Sequence, residues 1–107
     1  MDNNDLVKLH RIDTNNAGPN ILLTACIHGD EYEPILALMG LVAELPAILG
    51  SGSVTIIPIS NESAYFNNSR YGKDGLDLAR TCPGNPIGTI TEIVASKIST
   101  LIGESDY

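Results

Sequence analysis

The sequence predicts an α/β fold, a mixed sheet with flanking helices, and three observations carry that prediction. Apolar runs of strand length alternate with longer segments whose apolar residues recur at helical spacing. The run ILLTACI, residues 21–27, is nearly continuous in apolar character, as in a strand covered on both faces. The order strand, helix, strand around it calls for a right-handed parallel crossover.

Taken in order, LVKLHRI at residues 6–12 alternates apolar and polar side chains and reads as a half-buried strand. Asn15, Asn16, Gly18 and Pro19 follow as turn residues, so a hairpin into the next run is expected. Residues 21–27 then read as a central strand. From Tyr32 to Leu49 the residues Ile35, Leu36, Leu38, Met39, Leu41, Val42 and Leu45 mark a helix, with Pro34 tolerated in its first turn. Glu31 and Glu33 at its start suit the positive end of the helix dipole. Gly50 and Gly52 end it, and SVTIIPI at residues 53–59 supplies a third strand. Residues 60–88 are irregular in pattern and rich in Asn, Gly, Ser and Pro; a stretch of that length inside a compact domain is usually functional. Thr89 and Glu92 spell a capping box that opens an amphipathic helix through Ile93, Val94, Ile98, Leu101 and Ile102. After Gly103 the alternation calls for another strand, which GESDY does not supply, so residues 1–107 are expected to form one incomplete domain.

A chain of 107 residues holds one domain at most, long enough to bury a real core. Six Lys and Arg stand against 13 Asp and Glu, a formal charge of −7, which leaves no basic surface for a polyanion and excludes nucleic acid as an expected partner. The opening MDNNDLVKLH lacks the basic start and apolar stretch of a secretory signal, and no segment approaches the roughly 18 apolar residues of a membrane span. A cytoplasmic chain with no membrane partner is expected. Cys26 and Cys82 have no C-x-x-C spacing and read as reduced thiols, Cys26 in the core.

Two stretches invite chemistry. In ACIHGDEYEP, residues 25–34, His28 and Glu31 sit between a buried strand and a helix, at the strand end where open α/β sheets place ligands. Imidazole and carboxylate suit zinc, whose catalytic sites commonly combine two His and one Glu with a water. An ordinary solvated turn is spelled with the same residues. Asp30 reads as a capping or outer acid. In NSRYGKDGLDLARTCPG, residues 68–84, Arg70 and Arg80 bracket Asp77, and Lys73 adds to a local basic enrichment that Asp74 and Asp77 partly neutralise. A solvated loop with locally paired charges would account for it. The functional alternative gives one guanidinium a substrate carbonyl to polarise and the other a carboxylate to grip.

Jointly these motifs are specific. HGDE at a strand end, Asn61-x-x-Ala64 after the next strand, Arg70, and then D-L-x-R-x-x-P-G from Asp77 resemble the succinylglutamate desuccinylase and aspartoacylase family, relatives of the zinc carboxypeptidases, from about residue 20 onward. The resemblance implies the N-terminal part of a zinc-carboxypeptidase-like domain and a metal-dependent hydrolase that cleaves the amide of a small acidic N-acyl amino acid. It implies that His28 and Glu31 are the first two zinc ligands, that Arg70 stabilises the carbonyl oxygen as charge develops, and that Arg80 holds the substrate carboxylate with Asp77 as its motif's acid. The family would continue past SDY into a strand carrying a third ligand, a histidine, with the general-base glutamate later still.

The departures are Ala79 where the family's D-L-N-R motif has asparagine, Cys82 where phenylalanine is usual, and Pro34 where glycine is common. His10, the second histidine, reads as an ordinary strand residue. Cys26 is two residues before His28, so alternation along the strand puts both on one face and allows thiolate ligation, but a small buried side chain is the preferred role. The zinc site is thus expected to be incomplete in this chain, inactive alone. The alternative is a non-catalytic domain that keeps the fold and binds carboxylates or a partner chain. Exposed edge or apolar surface is expected to promote a homo-oligomer.

Overall fold

Ile57 and Ile56 are adjacent, wholly buried, and on opposite faces of one strand, so the strand that carries them needs apolar cover on both sides. A computed structural model of the chain describes residues 6–107; the polar opening MDNND lies outside them. Strands β1 (His10–Asp13), β2 (Asn20–Thr24) and β3 (Ser53–Ile57) form a mixed sheet in the order β1-β3-β2, with β1 antiparallel and β2 parallel to β3. Helix α1 (Pro34–Ile48) supplies the crossover from β2 to β3. The α/β class is therefore the one observed.

Each face of the sheet has its own core. Val54 and Ile56 of β3 pack with Ala25 and with Leu38 of α1, joined by Ile21, Leu23, Leu41, Val42 and Leu45. Ile57 packs on the other side with Val7, Leu78 and the inner residues Val94, Ala95 and Ile98 of the last helix. Burying one such side chain stabilises the fold by roughly 1.5 to 3 kcal/mol.

Several boundaries differ from the sequence reading. The first strand begins at His10 rather than residue 6, because its register with β3, His10 opposite Ile56, would set Lys8 opposite Pro58, which has no N–H to donate. Val7 leaves the sheet and enters the core instead. The expected hairpin does not form: β1 and β2 lie on opposite edges of β3. Their connection crosses the start of that strand, with Thr14 N–H donating to the Gly52 carbonyl at 3.2 Å and Gly52 N–H to that of Asn16 at 2.9 Å. Turn residues allow the chain to reverse but do not choose its partner. The central place expected for residues 21–27 belongs to β3, and the outer edge of β2 is met by the chain's last residues. Leu22 N–H donates to the Tyr107 carbonyl and Asp106 N–H to that of Asn20, both at 2.8 Å.

Helix α1 runs nearly as its spacing predicts, with Pro34 in its first turn. Glu33 occupies its N-cap without a side-chain bond, and no acid stands in the first turn, so the expected dipole contacts reduce to that one position. Its outer side leaves Leu36 and Ile48 exposed. The supposedly irregular stretch 60–88 contains two short helices, α2 (Glu62–Phe66) and α3 (Leu78–Thr81). Helix α4 (Ile90–Gly103) follows, with the Thr89 and Glu92 capping box formed. Among the described residues no helix is long and apolar enough to cross a membrane.

Candidate metal and carboxylate site

The turn after β2 is shaped by one residue that no alternation rule anticipates. Ala25 still donates to the Ile57 carbonyl at 3.0 Å, but Cys26 adopts a left-handed backbone, φ 58°, and the strand pattern ends there. Cys26 and His28 therefore do not share a strand face. The Cys26 thiol lies inside the turn, donating to the His28 and Gly29 carbonyls at 3.5 and 3.8 Å. Burial, then the charges of Asp30 and Glu31, push its pKa up and keep it a thiol. Both cysteines are free, Cys26 buried and Cys82 exposed.

Residues 60 and 61 stitch this turn to the rest of the domain. Ser60 N–H reaches the Ala25 carbonyl at 2.9 Å and Asn61 N–H the Cys26 carbonyl at 3.1 Å. The Asn61 side chain donates to the Ile27 carbonyl at 3.3 Å and accepts from Ala64 N–H at 3.2 Å, capping α2 as it does so. Gly29 then packs so tightly on the carbonyl groups of Ala64 and Ser69 that a Cβ there would overlap both. The glycine between His28 and Asp30 is thus demanded by close approach of α2.

Within this frame the side chains singled out in the sequence converge. The His28 ring, 14% exposed, has Nδ1 against Glu31 Oε1 and Nε2 at 3.0 Å from Asp77 Oδ1. Asp77 is the hub: its side chain is 8% exposed, and Oδ1 also accepts from Ala79 N–H at 3.0 Å, capping α3. Its Oδ2 lies 3.4 Å from Arg70 Nε and 3.7 Å from Arg80 Nε. Burial raises the Asp77 pKa, but the His28 hydrogen bond and charge, the Ala79 N–H and Arg70 outweigh it, and the net shift is downward. Asp77, expected within the substrate grip, divides its carboxylate between the imidazole on Oδ1 and the two arginines on Oδ2, the local charge pairing that the loop reading also allowed. Arg80 is 83% exposed and meets Asp77 only through Nε, so most of its guanidinium is in solvent.

The imidazole is thus held at both nitrogens by carboxylates, Asp77 at Nε2 and Glu31 at Nδ1. This is the ring orientation that a carboxylate partner fixes in metal-ligating histidines. The donor types suit zinc, and they number two. Among the described residues no group of three or more His, Cys, Asp or Glu is placed to hold a metal ion. His10 lies in β1, opposite Ile56.

Asp74, read as a neutralising charge for the arginines, instead accepts four hydrogen bonds, from Leu76, Thr89 and Thr91. Burial works against its ionisation, yet the bonds from Thr89, Thr91 and Leu76 lower its pKa to about 2. Its partners lie up to 17 positions away. The sequence signals were the Asp-Gly turn and the two threonines at the helix start, and neither names the other.

The sequence profile of the "Succinylglutamate desuccinylase/Aspartoacylase catalytic domain" matches residues 17–105. The chain belongs to this family. The chain is 41% identical over 86 residues to N-alpha-acetyl-L-2,4-diaminobutyric acid deacetylase of Halomonas elongata, a match covering 79% of this chain and 25% of the deacetylase. A crystal structure of a succinylglutamate desuccinylase from Silicibacter sp. TM1040 superposes with a TM-score of 0.85 at 36% identity, over 94% of this chain and 31% of that one. A carboxypeptidase A candidate from Shewanella denitrificans OS-217, at 16% identity and a TM-score of 0.74, shares the fold over 92% of this chain and 28% of its own. The chain thus spans about a quarter to a third of the length of these proteins.

Proposed function

We propose that this chain contributes the substrate-gripping and first metal-ligating part of a zinc-dependent hydrolase that cleaves the amide of a small N-acyl amino acid. The observation that carries the reading is the His28 ring held between Glu31 and Asp77, with Arg70 and Arg80 on the opposite oxygen of the same Asp77. In this reading His28 Nδ1 and the Glu31 carboxylate hold zinc. When bound, zinc acts as a Lewis acid on the scissile carbonyl and lowers the pKa of water.

The chain's own residues do the rest. Asp77 fixes the His28 tautomer and plane through Nε2. Arg70 stands beside this pair and stabilises charge on the carbonyl oxygen, an interaction that grows toward the transition state. Arg80, with most of its guanidinium in solvent, grips the α-carboxylate in a fork that lysine could not copy. The deacetylase name of the Halomonas relative supports an acyl amino acid as the substrate class. A two-donor site binds zinc weakly, so the chain alone binds metal without turning over substrate.

Calorimetric titration of the chain with zinc tests this. Weak binding is expected in the wild type and none in His28→Ala, with Asp77→Asn weaker than wild type by about 10- to 100-fold, the range for losing a carboxylate behind a ligating histidine. Zinc binding unchanged in His28→Ala would overturn the reading.

A further inference from the structure

Arg70 and Asp77 stand in a segment with little regular structure of its own: only the single turn of α3, which starts after Asp77, is helical between residues 70 and 81. Something else must decide where those two side chains lie. The backbone between them closes on itself, with Gly75 N–H donating to the Gly72 carbonyl at 2.9 Å and Gly72 N–H to that of Leu76 at 3.0 Å. Asp74 sits inside this turn and reaches out of it. Its Oδ2 accepts Thr89 Oγ1–H at 2.7 Å and Thr91 N–H at 2.9 Å; its Oδ1 accepts Thr91 Oγ1–H at 2.7 Å and Leu76 N–H at 3.2 Å. Gly72 lies against the same Thr91 hydroxyl, where a Cβ would overlap it, so the turn and the start of α4 are in close contact. Helix α4 meanwhile has a capping arrangement of its own, Thr89 N–H donating to Glu92 Oε1 at 3.1 Å. Asp74 is therefore more than that helix requires.

We propose that Asp74 is a positioning residue, which ties the turn at residues 72–76 to the first turn of α4 and thereby sets Arg70 and Asp77, and through Asp77 the His28 ring. This rests on reading those three residues as a site. Arg70 lies four positions before Asp74 and Asp77 three after it, so the carboxylate anchors the segment between the two groups it places. A side chain locked by several hydrogen bonds from a rigid helix start holds its neighbours far more narrowly than a free loop does.

Arginine modification by phenylglyoxal, followed by mass spectrometry, reads this directly and needs no turnover. Arg11 is the internal standard: its side chain is 47% exposed and paired with Asp13, against 45% for Arg70. In Asp74→Asn and Asp74→Ala, Arg70 is expected to react about three- to fivefold faster, the factor by which a partly exposed ion pair holds its groups, while Arg11 keeps its rate. Equal acceleration of Arg11 and Arg70 would mean general loosening and would overturn the proposal. So would an unchanged Arg70 rate with a lowered melting temperature, which would make Asp74 a helix cap alone. Should neither variant fold, Thr91→Val, which removes one hydroxyl donor and keeps the N–H, is expected to give a smaller acceleration confined to Arg70; its absence counts against the proposal equally. Failure of zinc to bind would remove the functional reading and leave the arginine result standing.

Discussion

The two faces of the sheet are held by different physics. On the α1 side, Val54, Ile56, Ala25 and Leu38 meet through apolar contact, and the helix carries a single charged residue, Glu44, along Pro34–Ile48. On the α4 side there is also an apolar core, around Ile57 and Leu78, but the chain between those residues and α4 is held by polar side chains: Asn61 on the Ile27 carbonyl, Asp77 on His28, and Asp74 on Thr89 and Thr91. Apolar burial is strong and non-directional, whereas hydrogen bonds contribute less net energy and far more geometry. The side that carries the candidate chemistry is the side built with directional contacts.

Mutations that separate energy from geometry sharpen this contrast. The largest loss is expected for Ile56→Ala on the α1 side, about 2 to 5 kcal/mol as for other fully buried aliphatic side chains. Urea unfolding measures it, and a loss below about 1 kcal/mol would show that this face is not closely packed. Gly29→Ala comes next, at about 1 to 3 kcal/mol, because a methyl must displace the Ala64 and Ser69 carbonyl groups. It should also shift His28 relative to Asp77, seen as altered imidazole signals by NMR, with His10 unchanged. The smallest effect is expected from acid. Asp74 and Asp77 have lowered pKa values in the fold, so the unfolded chain binds more protons and stability falls as pH falls. For Asp74 the contribution is whole above the ordinary aspartate value of about 3.9 and is lost as pH approaches about 2. Unfolding midpoints between those limits should fall less steeply in Asp74→Asn; equal slopes would contradict the placement of its four donors.

What could be read in advance follows the same division. Helices α1 and α4 were legible because their apolar periodicity, and for α4 its capping box, are local in sequence, and β3 because SVTIIPI concentrates β-branched residues between a Gly-rich turn and Pro58. The pairing of β1 was not legible, since Asn15, Asn16, Gly18 and Pro19 specify a reversal and say nothing of a strand that arrives 40 residues later to lie between its two arms. The identities of His28, Glu31, Arg70, Asp77 and Arg80 stood out as spaced motifs, and the pairing of Asp77 with both arginines follows from their spacing, but its bond to His28, 49 positions away, does not. The left-handed backbone of Cys26 left no trace in the sequence, as residues other than glycine seldom adopt it. The anchoring bonds of Asp74 were not legible because their donors come from Thr89 and Thr91, across a gap that only the folded chain closes.

Strand β3 is paired along both edges and covered on both faces, which sets a hierarchy of local opening. Its amide protons should be the last to exchange with deuterated solvent, while the outer edge of β2 and the 72–76 turn exchange earlier. The His28 turn hangs from this slowest-exchanging strand through the Ala25 to Ile57 bond and is clasped next by Ser60. Its histidine is therefore carried on the part of the molecule that breathes least.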